Sequence, residues 1–180
     1  MATMLNDLSW NLILGQGLSL VGLALCIAGF SSKRDDRLLV LLISANVAFA
    51  LHFVLFASWT AAALTGLVIV RILCARRYPR NLSVMSLMLA LTLLATALTW
   101  QSPTDAFPLL AMILGTLGMF LLRGIPLRIM LGAAALAWMT NNILIGSIGG
   151  TLTEAVIFFV NLVTILRIAR AQRRGLLTSA

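Results

Sequence analysis

Seven long apolar runs, separated by short polar joints, constrain this chain more than any other feature. The runs lie near residues 10–30, 37–57, 59–76, 82–100, 107–122, 127–146 and 150–168. A helix of this length spans most of the hydrocarbon core of a bilayer, which is about 30 Å thick. With 61% hydrophobic and 10% charged residues, the chain has too much apolar surface for a water-soluble fold of its size. We therefore predict an all-α, polytopic protein with seven transmembrane helices and the lipid bilayer as its partner.

The positions of the basic residues predict how these helices are oriented. Cytoplasmic joints of membrane proteins retain Lys and Arg. All 13 basic residues lie in or near the joints after helices 1, 3 and 5 and the tail after helix 7, provided that Arg71 extends its side chain to the nearby surface. The sequence therefore predicts a cytoplasmic C-terminus and an N-terminus on the opposite side. Because the charges lie in clusters between apolar runs, we expect no nucleic-acid partner despite the net charge of +8.

An internal repeat is visible in the order of these features. The segment Thr65–Arg71 aligns with Asn161–Arg167, and each aligned segment ends in an arginine. Three helices reverse direction across a membrane, so a single helix between two such triplets restores a parallel pair. We predict two parallel three-helix bundles joined by a linker helix (3+1+3), with the first repeat at 1–77, the linker at 82–100 and the second repeat at 106–174. Chance alignment of apolar sequence is the alternative.

Several segments of the chain resemble a known family. Leu51–Leu64, followed by Arg71, resembles the signature of the YgjV family of bacterial inner-membrane proteins, as do the basic joint at 33–37 and the stretch from Trp138 to Ser147. More distantly, the chain resembles the SWEET, SemiSWEET and PQ-loop (MtN3-like) group, whose triple-helix bundles often carry small solutes such as sugars. The resemblance implies a multi-pass protein of the bacterial inner membrane, and a small-solute permease or facilitator as its function. In that membrane, the N-terminus predicted from the basic residues is periplasmic.

Polar residues inside the predicted spans are the candidates for a solute site. Such residues are costly in lipid and face the bundle interior or a cavity, where they bind a substrate or one another. The candidate substrate-binding residues are Asn161, His52, Asn142, Asn141, Thr65, Trp138, Gln16 and Glu154. Asn161 is the first candidate, because an amide offers both a donor and an acceptor to a neutral solute without a charge penalty. The alternative is that these side chains only form hydrogen bonds between helices.

Other classes of function lack their motifs in this sequence. One His and two distant Cys do not form a metal site, and there is no phosphate-binding loop or nucleophile motif. We therefore expect no metal, no cofactor and no enzymatic activity. Two hypotheses stay open: a small-solute permease, and a non-transporting membrane protein with a structural or assembly role. The sequence leaves the oligomeric state open.

The charge pattern makes the orientation testable. A reporter that is active only in the cytoplasm should work when it is fused after Arg174 and should be inactive when it is inserted at Gly149, because these positions lie on opposite sides of the predicted topology. Reporter activity in whole cells measures this. Activity at Gly149 would overturn both the orientation and the helix count.

Overall fold

The computed structural model describes residues 2–32 and 34–173, which form seven α-helices and no strand. The helices are α1 Ala2–Phe30, α2 Asp35–Leu55, α3 Trp59–Arg77, α4 Leu82–Thr99, α5 Ala106–Leu121, α6 Gly124–Leu144 and α7 Ile148–Arg173, with a short 3₁₀ turn at Pro103–Asp105 before α5. All seven are long and apolar enough to cross a membrane. The prediction of an all-α chain with seven membrane-spanning helices is confirmed. The helices begin and end within a few residues of the apolar runs, except that α1 begins earlier and α7 ends later.

Large apolar side chains cover the outside of the helix assembly. Leu98 is 77% exposed, and Ile13, Val40 and Phe159 are also largely exposed. A soluble protein seldom presents so many large apolar groups over its whole surface. In a bilayer the same groups contact acyl chains, and the helices keep their backbone hydrogen bonds internal. The surface is therefore that of a protein embedded in lipid.

Six of the described helices form a closed ring. α1 packs against α2 and α7, α2 against α3, α3 against α5, α5 against α6, and α6 against α7, while α4 lies outside the ring against α3 and α5. These contacts do not confirm the 3+1+3 grouping, because the α3–α5 and α1–α7 interfaces between the expected triplets are part of one continuous ring. The ring does map onto itself when α1, α2 and α3 are exchanged with α5, α6 and α7.

The α2–α3 and α6–α7 turns have the same backbone geometry. The amide of Ser58 donates to the carbonyl of Phe53 at 2.9 Å, and the amide of Ser147 donates to the carbonyl of Asn142 at 2.8 Å. Each residue of the second turn lies 89 positions after its counterpart in the first, as Ser147 does after Ser58. We call the end of the helices that carries these two turns the turn end, and the opposite end, where α3 ends and α6 begins, the basic end.

These turns set a register for the repeat that differs from the sequence alignment. Both third helices continue without a break from their turns, so positions 89 apart lie at equal depth. The counterpart of Thr65 is Glu154, and Asn161 corresponds to Ile72. The alignment of Thr65–Arg71 with Asn161–Arg167 is therefore wrong by seven residues, about two helical turns. Apolar helix sequences contain few polar residues that could fix an alignment, so an alignment of two such sequences can be shifted by whole helical turns. The hydrogen-bonded turns fix the register.

Glycines in α1 allow the aromatic side chains of α2 to approach closely. A Cβ at Gly22 would lie 2.7 Å from the ring of Phe49, and one at Gly15 would lie 2.5 Å from the ring of Phe56. Both rings thus occupy the space that a side chain on α1 would need. Gly17, in contrast, has open space around it. α1 and α2 therefore pack closely at Gly15 and Gly22 and not at Gly17.

Gly22 and Gly17 give a matched test of the α1–α2 interface. Gly22→Ala should destabilise the protein by about 1–3 kcal/mol, because the added methyl group displaces the Phe49 ring. Gly17→Ala should leave stability unchanged or slightly raised, because it adds a helix-favouring residue in open space. The thermal unfolding midpoints of both variants in the same detergent measure this. Equal midpoints would contradict the interface.

Candidate functional site

A cavity of about 310 Å³ lies inside the ring of six helices. All six ring helices contribute lining residues, and no described residue of α4 does. The polar and charged residues that line it are Asn46, Thr65, Arg71, Arg128, Asn142, Thr153, Glu154 and Asn161. A cavity of this size is at the lower end of the range for small-molecule sites.

The repeat shapes the walls of this cavity. On α2 and α6, four equivalent pairs line it, each 89 residues apart: Leu42 and Leu131, Asn46 and Ala135, Phe49 and Trp138, Phe53 and Asn142. On α3 and α7, the pairs are Thr65 and Glu154, Val68 and Ile157, Arg71 and Val160, Ile72 and Asn161. The same backbone positions thus face inward in both hairpins, but the side chains differ. The backbone positions that line the cavity are thus related by an approximate twofold repeat, whereas the charged side chains are not.

Arg71 extends into the cavity from α3. The residue is 8% exposed, and its Nη1 lies 3.4 Å from the carbonyl oxygen of Met112 and 3.5 Å from the Met112 sulfur. Its Nε has no hydrogen-bond partner among the described residues. The guanidinium occupies the space that a Cβ at Gly115 would fill. The expectation that Arg71 extends to the membrane surface is therefore wrong, because Gly115 leaves room for it to turn inward.

Arg128 and Asn161 form a second polar contact near the basic end of the cavity. Nη1 of Arg128 donates to Oδ1 of Asn161 at 3.5 Å, and Nδ2 of Asn161 donates to the carbonyl of Ile157 at 2.9 Å. Asn161 lies one residue beyond Val160, the counterpart of Arg71. Counted from the turn end at 1.5 Å per residue, Arg71 and Asn161 are about 18 and 20 Å deep. The backbone positions of Arg71 and Asn161 are therefore at nearly equal depth, while the guanidinium of Arg71 extends to Met112 and Gly115 of α5.

The turn-end half of the cavity contains an acid and an aromatic wall. Glu154 lies six residues into α7, about 9 Å from its start. At a similar depth, the rings of Trp138 and Phe53 stack with their centroids 5.8 Å apart and their planes at 22°. Asn142 and Thr65 line the same half. The structure thus brings together five of the predicted site residues: Asn161, Asn142, Thr65, Trp138 and Glu154.

Three predicted site residues are not among those that line the cavity. His52 is fully buried, and its Nδ1 is 2.8 Å from the carbonyl of Gly15, which links α2 to α1. Asn141, its counterpart in the repeat, is 1% exposed, and neither atom of its amide has a partner among the described residues. Gln16 binds the α6–α7 turn and is discussed below. A polar residue in a membrane helix can face a helix interface as readily as a cavity, and sequence alone does not separate the two cases.

Sequence reasoning missed the two arginines as cavity residues. Arg71 is six residues inside the end of α3, and the apolar pairs Ile69–Val70 and Ile72–Leu73 flank it. The distance of Arg71 from the helix end is the signal that could have identified it. An ionisable residue well inside a membrane span usually faces the bundle interior or a cavity. Arg128 lies in the first turns of α6, and its position in the sequence predicts that it is part of a cytoplasmic joint.

Comparison with known proteins places the chain in a family. The family profile described as Imp-YgjV, bacterial inner membrane protein, matches residues 13–172. The chain belongs to the YgjV family. It is 28% identical to Inner membrane protein YgjV of Escherichia coli (strain K12), over 163 residues that cover 91% of this chain and 88% of that protein. No solved structure matches the chain. This YgjV family member is therefore a multi-pass protein of the bacterial inner membrane, as the sequence resemblance implied.

Gln16 links α1 to the α6–α7 turn of this YgjV family member. Its Nε2 donates to the carbonyl of Gly146 at 2.7 Å, and its Oε1 accepts from the amide of Ile148 at 3.1 Å. The amide groups in the first turn of a helix lack partners within that helix, and Gln16 accepts a hydrogen bond from one of them, the amide of Ile148. Gln101 does the same for α3 by accepting from the amide of Trp59 at 3.2 Å. The assignment of Gln16 to the substrate site is thus corrected: it caps a helix.

A substitution at Gln16 separates helix capping from solute binding. Gln16→Leu removes two hydrogen bonds and should destabilise the protein by about 1–3 kcal/mol. Gln101→Leu removes one and should cost less. Neither should change the affinity for a solute bound in the cavity. Thermal unfolding midpoints with and without a bound solute measure both effects. A Gln16→Leu variant of normal stability that no longer binds solute would return Gln16 to the site.

Proposed function

We propose that this protein is a small-solute permease or facilitator of the bacterial inner membrane, with its basic end in the cytoplasm. The cavity inside the ring carries the proposal, because all six ring helices line it and polar side chains are present along its length. A membrane protein without a solute path has no need of such a space, since polar residues in lipid are expensive. The sequence resemblance to SWEET-like carriers supports the same function.

Two further observations support a solute site within the membrane. The polar lining groups include amides, hydroxyls, an acid and two arginines, and the rings of Trp138 and Phe53 add a flat apolar wall. Small-molecule sites typically combine such apolar walls with a few placed polar groups. The repeat also supports alternating access, in which the cavity opens first to one side of the membrane and then to the other. Transporters are commonly built from two equivalent repeats with the site between them.

The rival function is a structural or assembly role without transport. Gln16 and His52 favour it, because both form interhelical hydrogen bonds outside the cavity. A structural role explains these two polar residues, because their hydrogen bonds hold helices together. It does not account for Arg71, which lines the cavity and whose buried Nε has no partner among the described residues. The permease is therefore the better-supported function.

Asn161→Leu tests the permease. Purified protein in liposomes should pass at least one solute of a panel of glycerol, glucose, alanine and sodium acetate faster than empty liposomes do. Asn161→Leu should slow that flux about tenfold or more, because it removes the amide from the cavity and leaves Arg128 without its partner. Light scattering after an osmotic step measures the flux.

Thr164→Leu is the matched control for this experiment. Thr164 lies on the same helix, bonds to the carbonyl of Val160 four residues earlier, as Asn161 does to Ile157, and is not a lining residue of the cavity. Its replacement should leave flux unchanged. Full flux in Asn161→Leu would remove Asn161 from the path, and wild-type flux no faster than that of empty liposomes for every solute would favour the structural role.

A further inference from the structure

The charges inside the cavity do not balance. Among the described residues that line it, two are arginines and one is a glutamate, so the ionised groups sum to one positive charge. Arg71 is more than nine-tenths buried, and its recorded hydrogen bonds go to a neutral carbonyl and a sulfur. An ionised group held in a low-dielectric site without a counterion is strongly unfavourable. The excess positive charge therefore leaves room for one further anion in the cavity.

Glu154 interacts electrostatically with Arg71 but does not occupy the hydrogen-bond donors of its guanidinium. Along α7, Glu154 lies six residues from Val160, the counterpart of Arg71, which is about 9 Å at 1.5 Å per residue. Neither arginine has a recorded hydrogen bond to it in the described part of the chain. The Cα of Arg71 is nearer the basic end than that of Glu154, and its guanidinium extends to Met112 and Gly115 of α5. The cavity that Arg71, Arg128 and Asn161 line thus has one more positive charge than Glu154 balances.

We propose that this cavity binds a small monovalent organic acid, as its carboxylate, beside Arg71 and the Asn161–Arg128 pair. The planar guanidinium of arginine matches a carboxylate with two parallel hydrogen bonds. Arg71 lines the cavity, and its Nε has no hydrogen-bond partner among the described residues. The apolar part of the acid extends toward the stacked rings of Phe53 and Trp138. This assignment names the solute of the proposed permease, and the binding step can be tested apart from transport.

A lipid headgroup is the other source of an anion near Arg128. Arg128 also lines a second, almost entirely apolar groove between α6 and α7, with Gly132, Phe158 and Leu162. A lipid phosphate held there would contact Arg128. It would not contact Arg71, which lines the central cavity and is not part of the groove. A soluble acid is therefore favoured, because it is the ligand that brings a counterion to the more buried arginine.

Acids and their amides give a matched pair of probes. At constant ionic strength, sodium acetate, lactate and benzoate are added to the purified full-length protein, and acetamide, lactamide and benzamide are added in parallel. At least one acid should raise the thermal unfolding midpoint in a saturable way, and its amide should not, because the two differ chiefly in charge. Repeating the titration with added phosphatidylglycerol identifies a lipid source: competition that depends on Arg128 alone would assign the anion site to the lipid and overturn the proposal.

Three variants give effects of different sign. Arg71→Gln should weaken binding of the stabilising acid about tenfold or more, while the stability of the unliganded protein stays equal or rises, because a buried charge without a hydrogen-bonded counterion is removed. Glu154→Gln should strengthen binding, because it removes a negative group from the same cavity. Arg76→Gln is the control: Arg76 is an exposed arginine of the same helix and should have no effect.

The outcomes separate this proposal from the proposed function. Binding that follows these signs without flux in liposomes would support the anion site and reject the permease. Flux of a neutral solute with no acid preferred over its amide would support the permease and reject the anion site. An Arg71→Gln variant that is destabilised and binds acids normally would show that Arg71 holds the helices together. If Arg71→Gln fails to fold, Arg71→Lys replaces it and should still bind more weakly, because lysine lacks the planar fork.

Discussion

The bilayer offers no hydrogen-bond partners, and the rest of this structure depends on that constraint. Backbone groups within the helices pair with one another, so the difficult points are the joints, where helices begin and end. Here side chains supply the missing partners. Asp105 accepts from the amides of Gln101 and Ser102 before α5, and Asn81 accepts from the amide of Val84 at the start of α4. Nearby side chains thus satisfy the backbone amides at these joints, and the packing of the helices between them depends on the shapes of their side chains.

The same constraint explains why the two hairpins keep one register. The α2–α3 and α6–α7 turns repeat their hydrogen bonds, and a left-handed residue occupies the same place in each: Ala57 with φ 52° and Gly146 with φ 76°. A shift of one residue in either turn would break these bonds and rotate the following helix by about 100°. Equivalent positions of α3 and α7 therefore face the cavity. The shape of the cavity follows from backbone geometry, and its charge follows from the side chains that differ between the hairpins.

The polar residues of the spans divide into two groups by what they contact. Gln16 and His52 bond to backbone carbonyls of other segments and so hold α1 against its neighbours. Arg71 instead makes a weak contact with Met112 and leaves a donor unused. Both amide atoms of Gln16 are bonded, and His52 keeps only Nε2 without a partner among the described residues. Arg71 differs from both because it lines the cavity. A group left unsatisfied in so costly an environment is the usual mark of a site, since binding can repay the cost that folding does not.

The sequence by itself determined the class of this protein, because seven apolar runs of bilayer length admit one solution, and the family was evident from its segments. It also identified Asn161, Asn142 and Glu154 as polar groups that need partners. Only the tertiary structure decided which polar groups share a cavity. Helix faces differ by about 100° per residue, and nearly every face of these helices is apolar, so no periodicity marks the inner side. Gly115 of α5 makes room for Arg71 of α3, and a contact between residues so distant in the chain is visible only when the helices are packed.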